Sequence, residues 1–82
     1  MNIQSELFSI IMEVEKHLTP DDINRLKEYL SHNEFGLVIE YICAQLIEYQ
    51  ISVSQKLLEK IKSVGISMEI DKKIWEDVHG FK

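Results

Sequence analysis

The side chains that could carry out chemistry in this sequence are three histidines, one cysteine and many carboxylates. A zinc site needs closely spaced ligands, and the sequence has neither a His-x-x-x-His pair nor a second cysteine. His17, His32 and His79 each fall at or just beyond the last turn of a predicted helix. A cation there bonds free carbonyls and interacts favourably with the helix dipole. The sequence therefore predicts no metal site and no cofactor site.

Cys43 is the one candidate nucleophile. It would need a histidine nearby as base, but its helical neighbours include Ile39, Ile42 and Leu46, the surroundings of an inert core thiol. The three glycines form no phosphate-binding loop, and no nucleophile elbow is present. Paired carboxylates for acid–base catalysis stay open, although nothing distinguishes one pair. We predict no catalytic residues and no enzymatic activity.

Acidic residues dominate the first part of the chain. Residues 1–50 carry nine acidic side chains against three basic ones, a balance of −6, whereas residues 51–82 carry +1. A negative field repels phosphate backbones and steers basic partners toward the protein. Nucleic acid is therefore not expected as a ligand, and a basic protein is. The simpler interpretation, that the charge only confers solubility, stays open.

The candidate binding residues lie on one helix predicted over residues 34–49. At about 100° per residue, Glu34, Tyr41, Gln45 and Glu48 fall within about 60° of one another, and Tyr49 lies at the edge of this group. Carboxylates bind arginine bidentately and tyrosine supplies rigid contact area, which suits a basic protein partner. An ordinary solvated face is the competing interpretation.

Glu40 lies on another side of the same helix, among apolar neighbours. Such an acid is either paired internally with a lysine or arginine or presented to a partner. The predicted partner-binding residues are Glu34, Glu40, Tyr41, Gln45, Glu48 and Tyr49.

Helical spacing of apolar residues predicts the elements that position these side chains. A stripe from Ile3 to Leu18 predicts a first helix of about four turns. Thr19 as N-cap, Pro20 at the first helical position and the following Asp21 and Asp22 predict the start of a second helix. We interpret the two aspartates as helix-start acids. The second helix is expected to end near residues 31–33.

The later part of the chain predicts three more helices. Residues 34–49 are apolar on most sides, as in a central helix surrounded by others. Ser52 and Gln55 have the spacing of a capping box, and the stripe that follows predicts a fourth helix ended by Gly65. Residues 66–70 are helical or extended, and Asp71 can cap a short last helix that contains Trp75. The tight connections indicate an all-α bundle of four to five helices in a single domain, residues 1–82.

Composition favours a small cytoplasmic protein. With 82 residues, 45% hydrophobic and 28% charged, the chain is typical of one globular domain. A single cysteine allows no intramolecular disulfide, as expected in a reducing compartment. The N-terminus has no basic region, and no apolar run approaches the roughly 20 residues that span a bilayer. We expect neither secretion nor membrane insertion.

The order of these segments resembles the MafI-type family of small bacterial immunity proteins. The resemblance is carried by a first amphipathic helix followed by residues 18–22 (LTPDD), 32–40 (HNEFGLVIE) and 43–48 (CAQLIE). It continues through residues 51–54 (ISVS) to Gly65, Met68 and Trp75, and so covers nearly the whole chain.

The resemblance implies a bacterial immunity protein that binds and neutralises a cognate polymorphic toxin. In contact-dependent growth inhibition such a toxin is commonly a nuclease domain, DNase or RNase, with a basic surface for nucleic acid. The acidic side chains of this chain would then complement the basic surface of the toxin. The resemblance implies Glu34, Glu40 and Glu48 as contacts.

Two questions stay open at this point. The alternative function is a helical adaptor or an antitoxin-like regulatory module. A DNA-contacting regulator should have a basic recognition helix, but the cluster of Lys56, Lys60 and Lys62 is small and interrupted by Glu59. The sequence also leaves open whether the chain forms a homodimer through exposed parts of its first helix.

Overall fold

Five α-helices form the structure, a computed structural model that describes residues 2–80. They are α1 (Ile3–Val14), α2 (Pro20–Ser31), α3 (Phe35–Glu48), α4 (Gln55–Ser67) and α5 (Lys72–Trp75). The prediction of an all-α bundle is confirmed. Within residues 2–80 the only strand-type pairing is an isolated parallel bridge between Val53 and Gly80. The ends of the predicted domain, Met1, Phe81 and Lys82, lie outside the described residues.

Helices α1 and α3 each pack against three other helices. α1 packs against α2, α3 and α4, while α3 packs against α1, α2 and α5, and α5 also contacts α4. Their inward faces form one core, and several of its residues are fully buried, among them Leu7, Ile10, Val38, Ile39 and Ile42. The molecule measures 33 × 27 × 19 Å. No helix within the described part of the chain combines the length and apolarity needed to cross a membrane.

Two predicted helix starts are confirmed by their capping hydrogen bonds. At α2, the Thr19 hydroxyl accepts from the Asp22 amide at 3.1 Å, and the Thr19 amide donates to the Asp22 carboxylate at 3.2 Å. At α5, the Asp71 carboxylate accepts from the Lys73 amide at 2.9 Å. Each bond satisfies an amide that has no partner within its helix.

The predicted capping box of Ser52 and Gln55 is wrong. α4 is capped by Ser54, whose hydroxyl accepts from the Leu57 amide at 3.1 Å. The start is shifted because Val53 donates its amide to the His79 carbonyl at 2.9 Å. This pairing holds residue 53 in an extended strand contact, and so the helix begins only after it.

Three helices end on non-glycine residues with left-handed backbone conformations. Asn33, Gln50 and Glu69 have φ angles of 58°, 54° and 55°. After α4, the Ile70 amide donates to the Gly65 carbonyl at 2.9 Å, five residues earlier, and α2 and α3 end with the same pattern. This is the Schellman arrangement, whose left-handed position glycine usually occupies.

The predicted end of α4 at Gly65 is therefore wrong. The helix continues to Ser67, and Glu69 takes the left-handed position. Gly65 is instead buried inside α4, where an added Cβ atom would lie 2.7 Å from Trp75 Nε1. The glycine allows the indole to pack directly against the backbone of α4. The first helix is also shorter than predicted, because α1 ends at Val14 and Leu18 reaches the core from the following turn.

α3 is covered less completely than its sequence suggests. Its apolar residues Leu37 and Ile47 are 41% and 38% exposed. The prediction of a helix surrounded by others is wrong on this side, because α1, α2 and α5 pack elsewhere on α3 and leave one face open.

Candidate functional site

A buried carboxylate connects α2 to α3. Asp22 is 5% exposed and accepts a hydrogen bond of 2.6 Å from the Tyr41 hydroxyl and one of 2.9 Å from Gln45 Nε2. The Tyr49 hydroxyl approaches the other carboxylate oxygen at 3.4 Å. Tyr41, Gln45 and Tyr49 are spaced four residues apart, so they form one line along α3. The line meets the start of α2, where the capping box already fixes the position of Asp22.

The electrostatics of Asp22 favour its charged form. Burial alone raises the pKa of this carboxyl, but the bonds from Tyr41, Gln45 and Thr19 lower it more, to about 2. A carboxylate that accepts several hydrogen bonds is stabilised as an anion. The pKa of Tyr41 is raised, first because its hydroxyl donates to Asp22 and second because it is partly buried. At neutral pH the group is therefore a negative carboxylate held by neutral donors.

Aromatic and cationic groups surround Tyr41 on its other side. The rings of Tyr29 and Tyr41 meet edge to face with 6.1 Å between centroids. The Arg25 guanidinium carbon lies 5.8 Å from the centre of the Tyr41 ring. Both geometries are favourable for aromatic contacts. These contacts fix the Tyr41 ring between the two helices.

The structure divides the predicted partner-binding residues into two groups. Tyr41, Gln45 and Tyr49 come together around Asp22, so their polar groups already have partners inside the molecule. A role for these three in partner binding stays a prediction, and the structure adds an internal role in joining α2 to α3.

The other group consists of the glutamates Glu34, Glu40 and Glu48, which are all exposed. The two ion pairs within residues 2–80 join Lys60 to Glu13 and Lys72 to Glu76, so they involve none of the three. Glu34 occupies the N-cap position of α3 but makes no capping bond with its side chain. Of the two alternatives for Glu40, internal pairing is not what the structure shows.

We define the α3 outer face as the open side of this helix. Five exposed residues form it: Leu37, Glu40, Ala44, Ile47 and Glu48. At about 100° per residue they fall within an arc of about 100°. This face combines two carboxylates with two large apolar side chains, and α3 contains no lysine or arginine.

A groove continues the α3 outer face toward the C-terminal segment. Its volume is about 450 Å³, and its lining is mostly apolar, from Leu46 and Ile47, with Gln50, Asp77 and His79 as polar lining residues. Ile47 belongs to both the groove and the α3 outer face. The groove and the face therefore form one continuous surface.

Sequence reasoning missed Asp22 as a connecting residue and Asp77 as a groove residue. A signal for the first was present, because polar residues at positions 41, 45 and 49 share one helix line and require a common partner. No local signal identified Asp77, since the groove forms only where the chain segment after α5 returns to α3. The capping box confirms Asp22 as a helix-start acid, but the bonds from Tyr41 and Gln45 show that this is not its only role.

Cys43 lies in the core as predicted. It is fully buried, and burial raises the pKa of its thiol to about 12. A thiol in this environment stays protonated and is a poor nucleophile. In the described range 2–80, no three His, Cys, Asp or Glu side chains lie close enough together to hold a metal ion.

Comparisons with known proteins give no relative for this chain. No family model matches it, and no curated protein or solved structure is significantly similar to it.

Proposed function

We propose that this chain is an immunity protein that neutralises a cognate toxin by stoichiometric binding, without a reaction of its own. The observation that carries the proposal is the set of exposed, unpaired carboxylates on α2 and α3. Over residues 20–48, five exposed acids stand against two exposed bases, Arg25 and Lys27. A compact helical body with this surface is suited to cover a basic protein surface. The resemblance of the sequence to MafI-type immunity proteins is the reason for proposing a toxin as that partner.

The partner that fits is a basic nuclease domain of a polymorphic or contact-dependent toxin. Such a domain needs positive charge to hold nucleic acid, and the same charge attracts an acidic inhibitor. Arginine is the side chain best matched to carboxylates, which it binds with two parallel hydrogen bonds. The proposal locates the interaction in the cytoplasm of the toxin-producing cell.

One contact weakens the case for the regulatory alternative. The predicted lysine cluster on α4 would be the DNA-binding element of a regulator, but Lys60 bonds Glu13 on α1 at 2.9 Å and Ser9 at 3.1 Å. Its charge is thus partly neutralised within the molecule. Only Lys56 and Lys62 of the cluster remain outside ion pairs in the described part of the chain.

The experiment is a growth-rescue assay with the toxic domains encoded beside this gene. Each domain is expressed with and without the chain, and the pair is then co-purified. Rescue together with a stable one-to-one complex supports the proposal. Failure of both with every neighbouring domain contradicts it and favours a regulatory module. Rescue without a complex would contradict neutralisation by binding.

A further inference from the structure

We infer that the α3 outer face and the groove beside it are the docking surface for a basic, amphipathic helix of the partner protein. This inference rests on the proposed function and specifies its interface. It differs from the stripe predicted from sequence, because the hydroxyl and amide groups of that stripe bond Asp22 inside the molecule.

The apolar residues of the face indicate how apolar residues are spaced on the partner helix. Leu37 and Ile47 are exposed, lie ten positions apart and are therefore separated by about 15 Å along the helix axis. Ala44 lies between them and leaves room for a close approach. Leu37 and Ile47 also differ by about 80° around the helix axis, so the apolar residues of this face run obliquely across it, as they do where a second helix crosses at an angle. A partner helix with apolar residues at matching spacing would cover both of them.

The charges of the face indicate that the partner helix is positively charged. Glu40 and Glu48 flank the apolar line, and Glu34 stands at the start of the helix. No described residue of α3 carries positive charge. An acidic or neutral helix would leave these carboxylates without compensation, whereas lysine or arginine beside the apolar residues would pair with them.

The groove adds a place for one long cationic side chain. Leu46 and Ile47 form an apolar floor, and Asp77 supplies a carboxylate at the lining. Lysine and arginine bury an aliphatic stem along apolar surface while keeping their charge near a polar group. No lysine or arginine is among the residues described as lining the groove. We therefore assign the groove to an arginine or lysine of the partner helix.

The apolar pair on α1 is the strongest competing surface. Phe8 and Met12 are each about half exposed and stand one helical turn apart. Met12 also borders a smaller pocket of about 170 Å³, but the carboxylate there, Glu13, is already paired with Lys60, and Lys16 lies in the same lining. This surface therefore offers a cationic partner no free carboxylate in its pocket, and nothing in the structure shows what covers it.

The first test uses a synthetic peptide as the probe. The peptide is an amphipathic leucine–lysine helix of about 18 residues, long enough to form a helix on binding. It is titrated into the isotope-labelled chain, and backbone amide shifts are followed by NMR. We expect the largest shifts at Leu37, Ala44, Ile47 and Asp77. Shifts centred on Phe8 and Met12, or no saturable binding, would overturn the inference.

Matched variants make the test specific. Ile47→Lys adds a positive charge within the face, and Ile66→Lys adds the same charge at a 65% exposed isoleucine on α4. We expect Ile47→Lys to weaken peptide binding at least about tenfold, as for a central interface residue, and Ile66→Lys less than about twofold. Equal effects of the two variants would contradict the inference. Circular dichroism and thermal unfolding check that both variants remain folded.

The same variants separate this inference from the proposed function. If the chain protects cells from the toxin and Ile47→Lys protects equally well, the interface is wrong and the function stands. If the α3 outer face binds the peptide and the chain protects against no neighbouring toxic domain, the surface stands and the function is wrong.

Discussion

Asp22 illustrates how one buried carboxylate can serve two levels of structure. Its oxygens accept the Thr19 amide of its own helix start and also the donors of Tyr41 and Gln45 on α3. A buried charge is costly unless it is fully bonded, and here the bonds outweigh the burial and lower the pKa of the carboxyl to about 2. The group is therefore a stabilising contact only while it is ionised.

The first prediction concerns the pH dependence of this contact. The pKa of Asp22 falls from its ordinary value of 3.8 to about 2 on folding, so its contribution is complete above pH 3.8 and is lost as pH falls through about 2. We expect wild type to exceed Asp22→Asn in unfolding free energy by about 2 kcal/mol at pH 6, and the difference to shrink strongly by pH 2. Urea unfolding at both pH values measures it.

The exposed neighbour Asp21 provides the control for Asp22. Asp21→Asn removes a charge from the same helix start but breaks no tertiary contact in the described structure, so we expect a loss below about 1 kcal/mol. A pH-independent gap between wild type and Asp22→Asn would show that the carboxylate charge is not what stabilises the contact.

The second prediction compares two glycines in helices. At Gly36 an added Cβ meets nothing within 4 Å. Gly36→Ala should therefore stabilise the fold by about 0.5 kcal/mol, because alanine lowers the conformational entropy of the unfolded chain. At Gly65 the added atom would lie 2.7 Å from the Trp75 indole, so Gly65→Ala should destabilise by about 2 kcal/mol. Thermal or urea unfolding gives both values. Stabilisation by Gly65→Ala would contradict the packing of Trp75 on α4.

At the scale of elements, the helix ends store backbone strain. Left-handed conformation costs non-glycine residues roughly 1 kcal/mol, and asparagine tolerates it best. The third prediction is that Gln50→Gly and Glu69→Gly each stabilise the protein by about 0.5 to 1 kcal/mol, more than Asn33→Gly does. Gln50→Ala and Glu69→Ala are the controls, since alanine relieves no strain there. No difference between glycine and alanine at these positions would contradict the Schellman geometry.

Helix periods and most helix starts were predictable because they depend on neighbouring residues. Thr19 and Asp71 cap where local chemistry places them. Ser52 and Ser54 are equally good caps, and only the bond from Val53 to the C-terminal segment selects Ser54. The backbone freedom of glycine predicts a helix end at Gly65. In the structure, Gly65 instead leaves space for the Trp75 indole against α4, a contact that no local sequence pattern contains.

In the candidate site, too, the spacing of residues along one helix was predictable, whereas contacts between helices were not. Counting residues along α3 groups Tyr41 and Gln45 with Glu34 and Glu48 and places Tyr49 at the edge, whereas the structure leaves the glutamates apart and joins Tyr41, Gln45 and Tyr49 through hydrogen bonds. Their partner, Asp22, lies 19 to 27 residues away in sequence and needed the packing of α2 on α3. For the same reason, the sequence could not show that Leu37 and Ile47 lie on the uncovered side of the helix.

At the scale of the whole molecule, the location of charge matters more than its total. The molecule measures 33 × 27 × 19 Å, roughly two to four times the screening length of about 8 Å at physiological salt. A partner approaching α3 therefore responds chiefly to the charges of that side. Two variants with the same net charge but different charge positions separate local steering from a general effect of acidity.

The last prediction uses such a pair. Glu34→Lys with Glu48→Lys and the control Glu59→Lys with Glu69→Lys each change the formal net charge from −5 to −1. For binding to the proposed toxin partner, we expect the α3 pair to slow association by about tenfold at low salt, with a smaller effect on dissociation, because exposed charges act mainly on encounter. The control pair should slow it far less. Stopped-flow or surface-binding kinetics across a salt series measures both rates. Equal slowing by the two pairs would leave only net charge as the cause, and an association rate independent of salt would contradict electrostatic steering altogether.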